Sequence, residues 1–401
     1  MSSEATIADV RTYPVRVALR FPFVTSLRTA THAESLLVSV CDSEGNRGWG
    51  ESPQVYRVTG ESIASAQACV AGPLTDAVRH LPADDLAGTT SAVAAAVHAN
   101  TSAKAAMDVA LHDLVATRLG IPLARLLGAP ASRLSVQTDM TLSSGSPDDL
   151  ATTAAERVAD GFRTLKLKVG ADSAGDVACV RAVAEAVGDG IVIRLDANQG
   201  WTPKQAVGVM TALESAGVPI ELVEQPVPAH DLAGLAFVTA RIATPVLADE
   251  SVHGLLDLVR LLDLRAADMV NIKLAKCGGL GPAAAMIRLA HVAGMATMVG
   301  SMMETHVGVG AAASLVAGLC APAAAASWAT PDLDAAWWLT RSPVAGGPMY
   351  ASDRIVLPDL PGQGITGLAT EPPGKSAGQP WKSAEPPWID TGQPSTSGEP
   401  A

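Results

Sequence analysis

The sequence predicts an α/β protein built on a parallel barrel, with an α+β unit ahead of it. Three observations carry that expectation. Seven short apolar segments each stop at a charged residue: TLKLKVG, IVIRLDANQGW, IELVEQP, PVLADES, MVNIKLAKCGG, ATMVGSMMET and SWATPDLD. One polar residue from each (Lys168, Asp196, Glu224, Asp249, Lys273, Glu304, Asp332) recurs at intervals of 24 to 31 residues, which suits one strand, one helix and two loops, repeated. The stretches between them, such as DVACVRAVAEAVG and PAAAMIRLAHVAG, are apolar at helical spacing.

The 401 residues can bury a large core, and length alone suggests two or three domains. A net charge of -12 and the lack of a basic cluster argue against nucleic acid as a partner. Five dispersed cysteines without a C-x-x-C read as reduced thiols, so a cytoplasmic location is expected. MSSEATIADV lacks the basic start and apolar core of a secretory leader. No unbroken apolar run reaches the length of a membrane span, and VGVGAAASLVAGLCAPAAAA reads as a buried barrel helix.

From the N-terminus to about residue 128, VRTYPVRVAL and SLLVSVCDSEGNRGWGES read as antiparallel strands, with DSEGN as a turn. ESIASAQACVAGPL and SAVAAAVHANTSAKAAMDVALHDLVATRLG read as helices. RFPFVTSLRTATHAES, near residues 20–35, is expected to be a loop between two strands. The barrel is expected over 129–340, with SVQTDMTL as its first strand and SWATPDLD as its eighth. GGPMYASDRIVLPDLPGQGI, within 341–369, is strand-like and expected to return to the first unit. The Pro/Gly/Ser-rich stretch 370–401 is expected to be disordered, because it cannot bury enough apolar area to offset its ordering entropy.

In a parallel barrel the C-terminal strand ends converge on one mouth. Asp196, Glu224 and Asp249 on consecutive strands would repel one another there, and a hard divalent cation such as Mg2+, with Mn2+ as a substitute, is the natural counter-ion. About three octahedral positions would stay open for substrate oxygens. Capping of neighbouring helices is the plainer role for the same carboxylates. Lys168 and Lys273, on strands two and six, would face each other across the mouth. A lysine near a metal and another lysine has its ammonium form disfavoured, so both pKa values are expected to be lowered. Two such bases suit removal of a carbon-bound proton on one side and its return on the other; the alternative is that they are counter-ions only.

K-x-K at Lys166 and Lys168, D-A-N at Asp196 to Asn198, E-Q-P at Glu224, D-E-S at Asp249 and the lone Lys273 together resemble the enolase superfamily, in its muconate-lactonizing subgroup. The resemblance covers roughly the first 365 residues and implies a (β/α)7β modified TIM barrel with an N-terminal α+β capping domain. It implies Lys168 and Lys273 as the acid/base pair, Asp196, Glu224 and Asp249 as Mg2+ ligands, and Lys166 as their support. A lysine base with Mg2+ is established chemistry of this superfamily. Asn198 and Glu250 would orient the ligands, with a turn residue as the alternative for Asn198.

PF-x-T-x-LRT followed by AES is similar to the substrate-covering loop of dipeptide epimerases of the L-Ala-D/L-Glu type, which implies that Arg28 meets an acidic end of the substrate. S-M-x-E matches their pocket stretch and brings in Met303 and Glu304, although Glu304 could equally cap a helix. Thr141 could hydrogen-bond the substrate or be an ordinary strand residue. Asp332 and Asp334 form a D-x-D, expected to alternate on strand eight so that both carboxylates point into the mouth. The matching D-x-D of the epimerases binds a free amino end, whereas a strand-end turn is its plainer role. The expected function is therefore a Mg2+-dependent isomerase that epimerises a dipeptide, without nucleic-acid or membrane partners and as a homo-oligomer, the common state of such relatives. A muconate cycloisomerase or o-succinylbenzoate synthase-like enzyme is the alternative, and a catalytically silent metal-binding scaffold the remote one.

Overall fold

The structure is a computed structural model, and it describes residues 5–24, 29–319 and 328–369. β1 (Ile7–Val24), β2 (Thr29–Asp42) and β3 (Arg47–Pro53) form an antiparallel meander. The segment expected as a loop over 20–35 is therefore mostly strand, since Phe23 pairs with Ala30 and Ser35 with Val15. Four helices follow: α1 (Ile63–Cys69), α2 (Thr75–Val78), α3 (Leu86–Ala96) and α4 (Thr101–Arg118). The long helical expectation around Ala96 breaks because Ala99 and Asn100 take positive φ. Leu36, Val38 and Val40 bury against Ala103, Ala106, Met107 and Leu114 of α4. Contact is backbone-close: a Cβ at Gly50 would lie 1.9 Å from the Ala106 carbonyl, so the G-W-G of β3 is what lets α4 lie down on the sheet.

α5 (Leu123–Leu126) leads into β4 (Ser135–Gln137) and β5 (Met140–Leu142). The single strand expected from SVQTDMTL is thus two. β4 pairs antiparallel with the late strand Arg354–Val356, and β5 opens the parallel sheet. That sheet continues as α6 (Pro147–Ala159), β6 (Thr164–Lys168), α7 (Ser173–Val187), β7 (Val192–Asp196), α8 (Pro203–Ser215) and β8 (Leu222–Glu224). It proceeds through α9 (Leu232–Thr239), β9 (Val246–Ala248), α10 (Leu255–Leu264), β10 (Met269–Lys273), α11 (Leu274–Cys277), α12 (Leu280–Val292), β11 (Ala296–Gly300) and α13 (His306–Leu319). Strand order is sequential from β5 to β11, with every neighbour parallel.

The eighth position is not a regular strand among the described residues. Trp328 and Asp332 make isolated parallel bridges to Thr297 and Gly300 of β11. On the other side, Asp139 N donates to the Pro331 carbonyl (3.0 Å) and Leu333 N to Thr138 Oγ1 (2.9 Å). Asp334 already has helical backbone angles and starts a 3-10 turn over Ala335–Trp338, so the two aspartates do not alternate on a strand as expected.

Side chains inside the barrel follow the strand period of two. Leu222, Leu247, Met298 and Ala329 form an apolar floor. Two residues further along, Glu224, Asp249 and Gly300 stand nearer the mouth. The remaining strands, β12 (Val344–Gly346), β13 (Met349–Ala351), β14 (Arg354–Val356) and β15 (Ile365–Leu368), pair as β12–β15 and β13–β14–β4. Val344 and Ile365 pack with Leu37 and Trp49 of the meander. The Pro/Gly/Ser-rich tail expected to be disordered lies outside the described residues, as does Arg28.

Candidate active site

β6 ends at Lys168, β7 at Asp196, β8 at Glu224 and β10 at Lys273, and Asp249 directly follows β9. Register places Lys168 opposite Asp196, and Asp196 opposite Glu224. Three carboxylates therefore stand in a row, with one lysine beyond each end. Lys168 Nζ donates to Asp196 Oδ2 (2.5 Å), and Lys273 Nζ to Asp249 Oδ2 (2.8 Å). Lys166, two residues below Lys168 on the same face, is buried against Asp332, Glu224 (3.6 Å) and Asp196 (3.8 Å).

The loops above the row hold unusual backbone. Asn198, Gln199 and Gln225 all have positive φ without being glycine. Glycines take the close approach between two of these loops: a Cβ at Gly170 would lie 2.4 Å from the Ala197 carbonyl. Gln225 then stitches the carboxylate loops together, its Oε1 accepting from Asp249 N (2.9 Å) and Ser251 N (3.1 Å).

Burial and mutual repulsion set the electrostatics. Burial, then Asp196, pushes Glu224 up to about 8, and its Oε2 is buried without a hydrogen-bond donor. Burial, then Asp249, raises Glu250 to about 7. For Asp249 burial works the other way, but Lys273 and Lys276 outweigh it and hold the carboxyl below its ordinary range. Burial disfavours the charged form of Lys273, yet Asp249 and Glu224 hold its pKa above normal. Lys166 is raised likewise by Asp332 and Glu224. The facing carboxylates thus raise Lys273; the lowering expected from the sequence requires a cation that takes up their charge.

A cation fits this row. Its donors are hard carboxylate oxygens on three adjacent strand ends, and Glu224 Oε2 accepts no hydrogen bond, its nearest cation being Lys166 Nζ at 3.6 Å. Asp196, Glu224 and Asp249 are the residues that would hold Mg2+ or Mn2+. A second acidic group is tighter: Asp139, Asp332 and Asp334 bring oxygens within 4.8 Å of one another. Most of that group's oxygens are already served by the protein, Asp139 Oδ1 being the buried one that accepts no hydrogen bond. Lys166 pairs with Asp332, Arg194 with Asp139 (3.1 Å), and Asp334 Oδ2 accepts from Thr141 N (2.7 Å) and Trp338 Nε1 (3.0 Å). The strand-end row, with one carboxylate from each of three adjacent strands, is the candidate cation site.

A cavity of about 270 Å³ opens above the row. Lys166, Lys168, Asp249, Lys273, Asn198, Glu250, Thr141, Met303, Asp332 and Asp334 all line it, so most of the expected site residues meet here. Asp196 and Glu224 lie beneath its surface, both buried. Glu304 does not line it. Its carboxylate folds back to accept from Met302 N (3.0 Å), within the turn that precedes α13.

Residues missed from the sequence include Lys276, which donates to the Asp249 carboxylate and carbonyl (2.6 Å), and Asn271, whose Nδ2 donates to Glu224 Oε1 (2.7 Å). Their signal was local: N-x-K alternation puts Asn271 on the face of Lys273, and Lys276 lies one turn on. Phe23, Val55, Tyr56, Arg57 and Val58 also line the cavity. They come from the capping domain; Phe23 belongs to the P-F motif of the expected substrate-covering loop, and no motif links Val55 to Val58 to the barrel mouth.

Two family models match this chain, the mandelate racemase / muconate lactonizing enzyme N-terminal domain over residues 7–128 and the enolase C-terminal domain-like model over 149–368. The chain belongs to the mandelate racemase / muconate lactonizing enzyme family. Within this family it is similar to the L-Ala-D/L-Glu epimerase of Bacillus subtilis, 40% identical over 367 residues, 90% of this chain and 97% of the relative. It is likewise similar to the L-Ala-D/L-Glu epimerase of Clostridium acetobutylicum, 38% identical over 90% of this chain and 99% of the relative. A substrate-liganded structure of the Bacillus subtilis enzyme superposes with a TM-score of 0.87 at 39% identity, covering 91% of this chain and 100% of that one. The dipeptide epimerase of Enterococcus faecalis, solved with Mg and the dipeptide L-Leu-L-Tyr, superposes with a TM-score of 0.84 at 36% identity, covering 90% and 99%. No helix among the described residues is long and apolar enough to cross a membrane.

Proposed function

We propose that this protein is a Mg2+-dependent dipeptide epimerase that inverts one α-carbon by a two-base proton transfer. The observation that carries the reading is the placement of Lys168 and Lys273 at opposite ends of the Asp196–Glu224–Asp249 row, on one cavity. One lysine would take the α-proton from one face, and the other, as its ammonium, would return a proton to the opposite face. A bound Mg2+ would supply positive charge to the substrate carboxylate as it gains electron density. Lys166, buried against Asp196 and Glu224, would add fixed positive charge beside the same atoms.

Asp332 and Asp334 line the same cavity and would take the substrate's ammonium end, which disfavours the dianionic substrates of a cycloisomerase. Thr141 and Met303 would shape the contact around it. Arg57 carries a positive charge at the cavity's edge and has no ion-pair partner among the described residues. It would favour an acidic side chain on the dipeptide, the role the sequence assigned to Arg28. We further propose a homo-oligomeric cytoplasmic enzyme with no nucleic-acid or membrane partner; the net charge of -12 supports the lack of a nucleic-acid partner and the five dispersed cysteines support the cytoplasmic location.

Incubation with L-Ala-L-Glu and related dipeptides in deuterium oxide tests the reading: one α position should take up deuterium while the diastereomer appears. Absence of uptake across a broad dipeptide library, with Mg2+ shown bound, would sink it.

A further inference from the structure

Glu51 is a capping-domain residue at the end of the G-W-G-E run of β3, and it is only 4% exposed. Its carboxylate reaches across to the barrel. Oε1 accepts from Thr305 N (2.8 Å), and Oε2 accepts from Thr305 Oγ1 (2.6 Å) and Gly308 N (2.9 Å). Thr305 is the residue that leads into α13 and Gly308 lies in its first turn, where the early amides lack partners within the helix. A helix is normally capped by its own preceding residue. Thr305 does so here, its Oγ1 accepting from Val307 N (3.3 Å), and Glu51 adds a second cap from another domain, across a separation of 254 residues in sequence.

Five residues, Ser301–Thr305, separate β11 from α13, and the first three line the cavity. Glu304 binds the turn to the helix. Its Oε1 accepts from Met302 N (3.0 Å), and its backbone N donates to the Met302 carbonyl (2.8 Å). Its Oε2 lies so close to Gly308 that a Cβ there would approach within 2.1 Å. Two buried carboxylates thus share one helix end. Burial raises both carboxyls: that of Glu51 against the hydrogen bonds it accepts from Thr305 and Gly308, and that of Glu304, with Glu51 as the next cause, up to about 8.

We propose that Glu51 is a positioning residue which, through the first turn of α13, holds the Ser301–Met303 turn in the form that receives the substrate. The capping domain would then shape the pocket by a buried clamp as well as by the residues it sends to the cavity's edge. The effect on turnover rests on the dipeptide epimerase reading; the effect on the turn does not. Lys168, Lys273 and the three row carboxylates stand on other strands, so loss of the clamp should weaken substrate binding more than chemistry.

The test uses full-length Mg2+-loaded protein with Glu51→Gln, and with Thr305→Val, which removes one donor and keeps the carboxylate. Val38→Ala, in the capping-domain core, serves as a control for lost stability. Hydrogen exchange of residues 300–308 is measured without substrate, and steady-state kinetics with the best dipeptide. Glu51→Gln should raise KM about tenfold with kcat within about threefold, and speed exchange in 300–308; Thr305→Val should move both in the same direction by less. Unchanged exchange in both variants, or a KM rise no larger than that of the control at equal loss of melting temperature, overturns the proposal. Should the wild type epimerise no dipeptide, the functional reading fails, and the exchange data still decide for or against the clamp.

Discussion

Replacing Glu224 by glutamine isolates the metal from the fold. Glutamine keeps an oxygen for the Asn271 amide, which donates to Glu224 Oε1 (2.7 Å), and removes the charge whose other oxygen, Oε2, has no hydrogen-bond donor. A cation should feel the loss at once. If wild type is held at Mg2+ about 100 times its Kd, binding contributes roughly 2.7 kcal/mol of stability. A variant binding about 100-fold more weakly would gain only about 0.4 kcal/mol at the same concentration. In chelator the sign reverses. A fully buried carboxylate with one unserved oxygen costs on the order of 1–3 kcal/mol, and the neutral amide relieves part of that. Urea unfolding in EDTA and in MgCl2 gives all four midpoints. The variant should be at least as stable as wild type in EDTA and should lose most of the Mg2+-dependent gain. Equal Mg2+ shifts in the two proteins would refute the placement of the cation on this row.

Lys168→Ala and Lys273→Ala should each lower dipeptide epimerisation by about 10²–10⁴ while keeping the Mg2+-dependent stabilisation, read by deuterium uptake and unfolding side by side. Retention of turnover by both variants would leave the two-base scheme without support. Arg57→Ala should raise KM about tenfold for dipeptides with an acidic side chain and leave apolar ones near wild type; equal effects on both classes would remove Arg57 from selectivity. Asp113 joins β3 to the C-terminal segment by accepting from Trp49 N (2.7 Å) and Gln363 N (2.6 Å), yet burial raises its carboxyl from 3.8 to about 7. A carboxyl raised on folding contributes stability that is complete below pH 3.8 and is lost as pH climbs through about 7. The urea midpoint should therefore fall across that window, and Asp113→Asn should flatten this part of the slope. An unchanged slope would show that other groups set it.

Asp196, Glu224 and Lys273 were legible as site residues because each closes an apolar run, and a strand that stops at a charge announces its own C-terminal end. K-x-K was legible for the same reason: a period of two puts Lys166 and Lys168 on one face wherever the strand goes. Such signals are local, and local geometry depends on the chain's own backbone period. The matching regularity of the spacing was enough to infer a parallel barrel and hence one mouth.

Tertiary structure alone decided which partners those charges found. The split of SVQTDMTL into β4 and β5 depends on Arg354–Val356, more than 200 residues away, offering an edge to Ser135–Gln137. The aspartates of D-L-D reach the mouth from a bridge and a 3-10 turn, held by Lys166 and Thr141 rather than by strand alternation. Lys273 is raised rather than lowered because Asp249, at 2.8 Å, and Glu224 act on it more strongly than Lys166 does. Arg57 and Glu51 serve the barrel from another domain. Electrostatic and hydrogen-bonded interactions act through space over a few ångströms, and the sequence orders residues only along the chain, so it specified the kinds of group at this mouth and left their pairing to the fold.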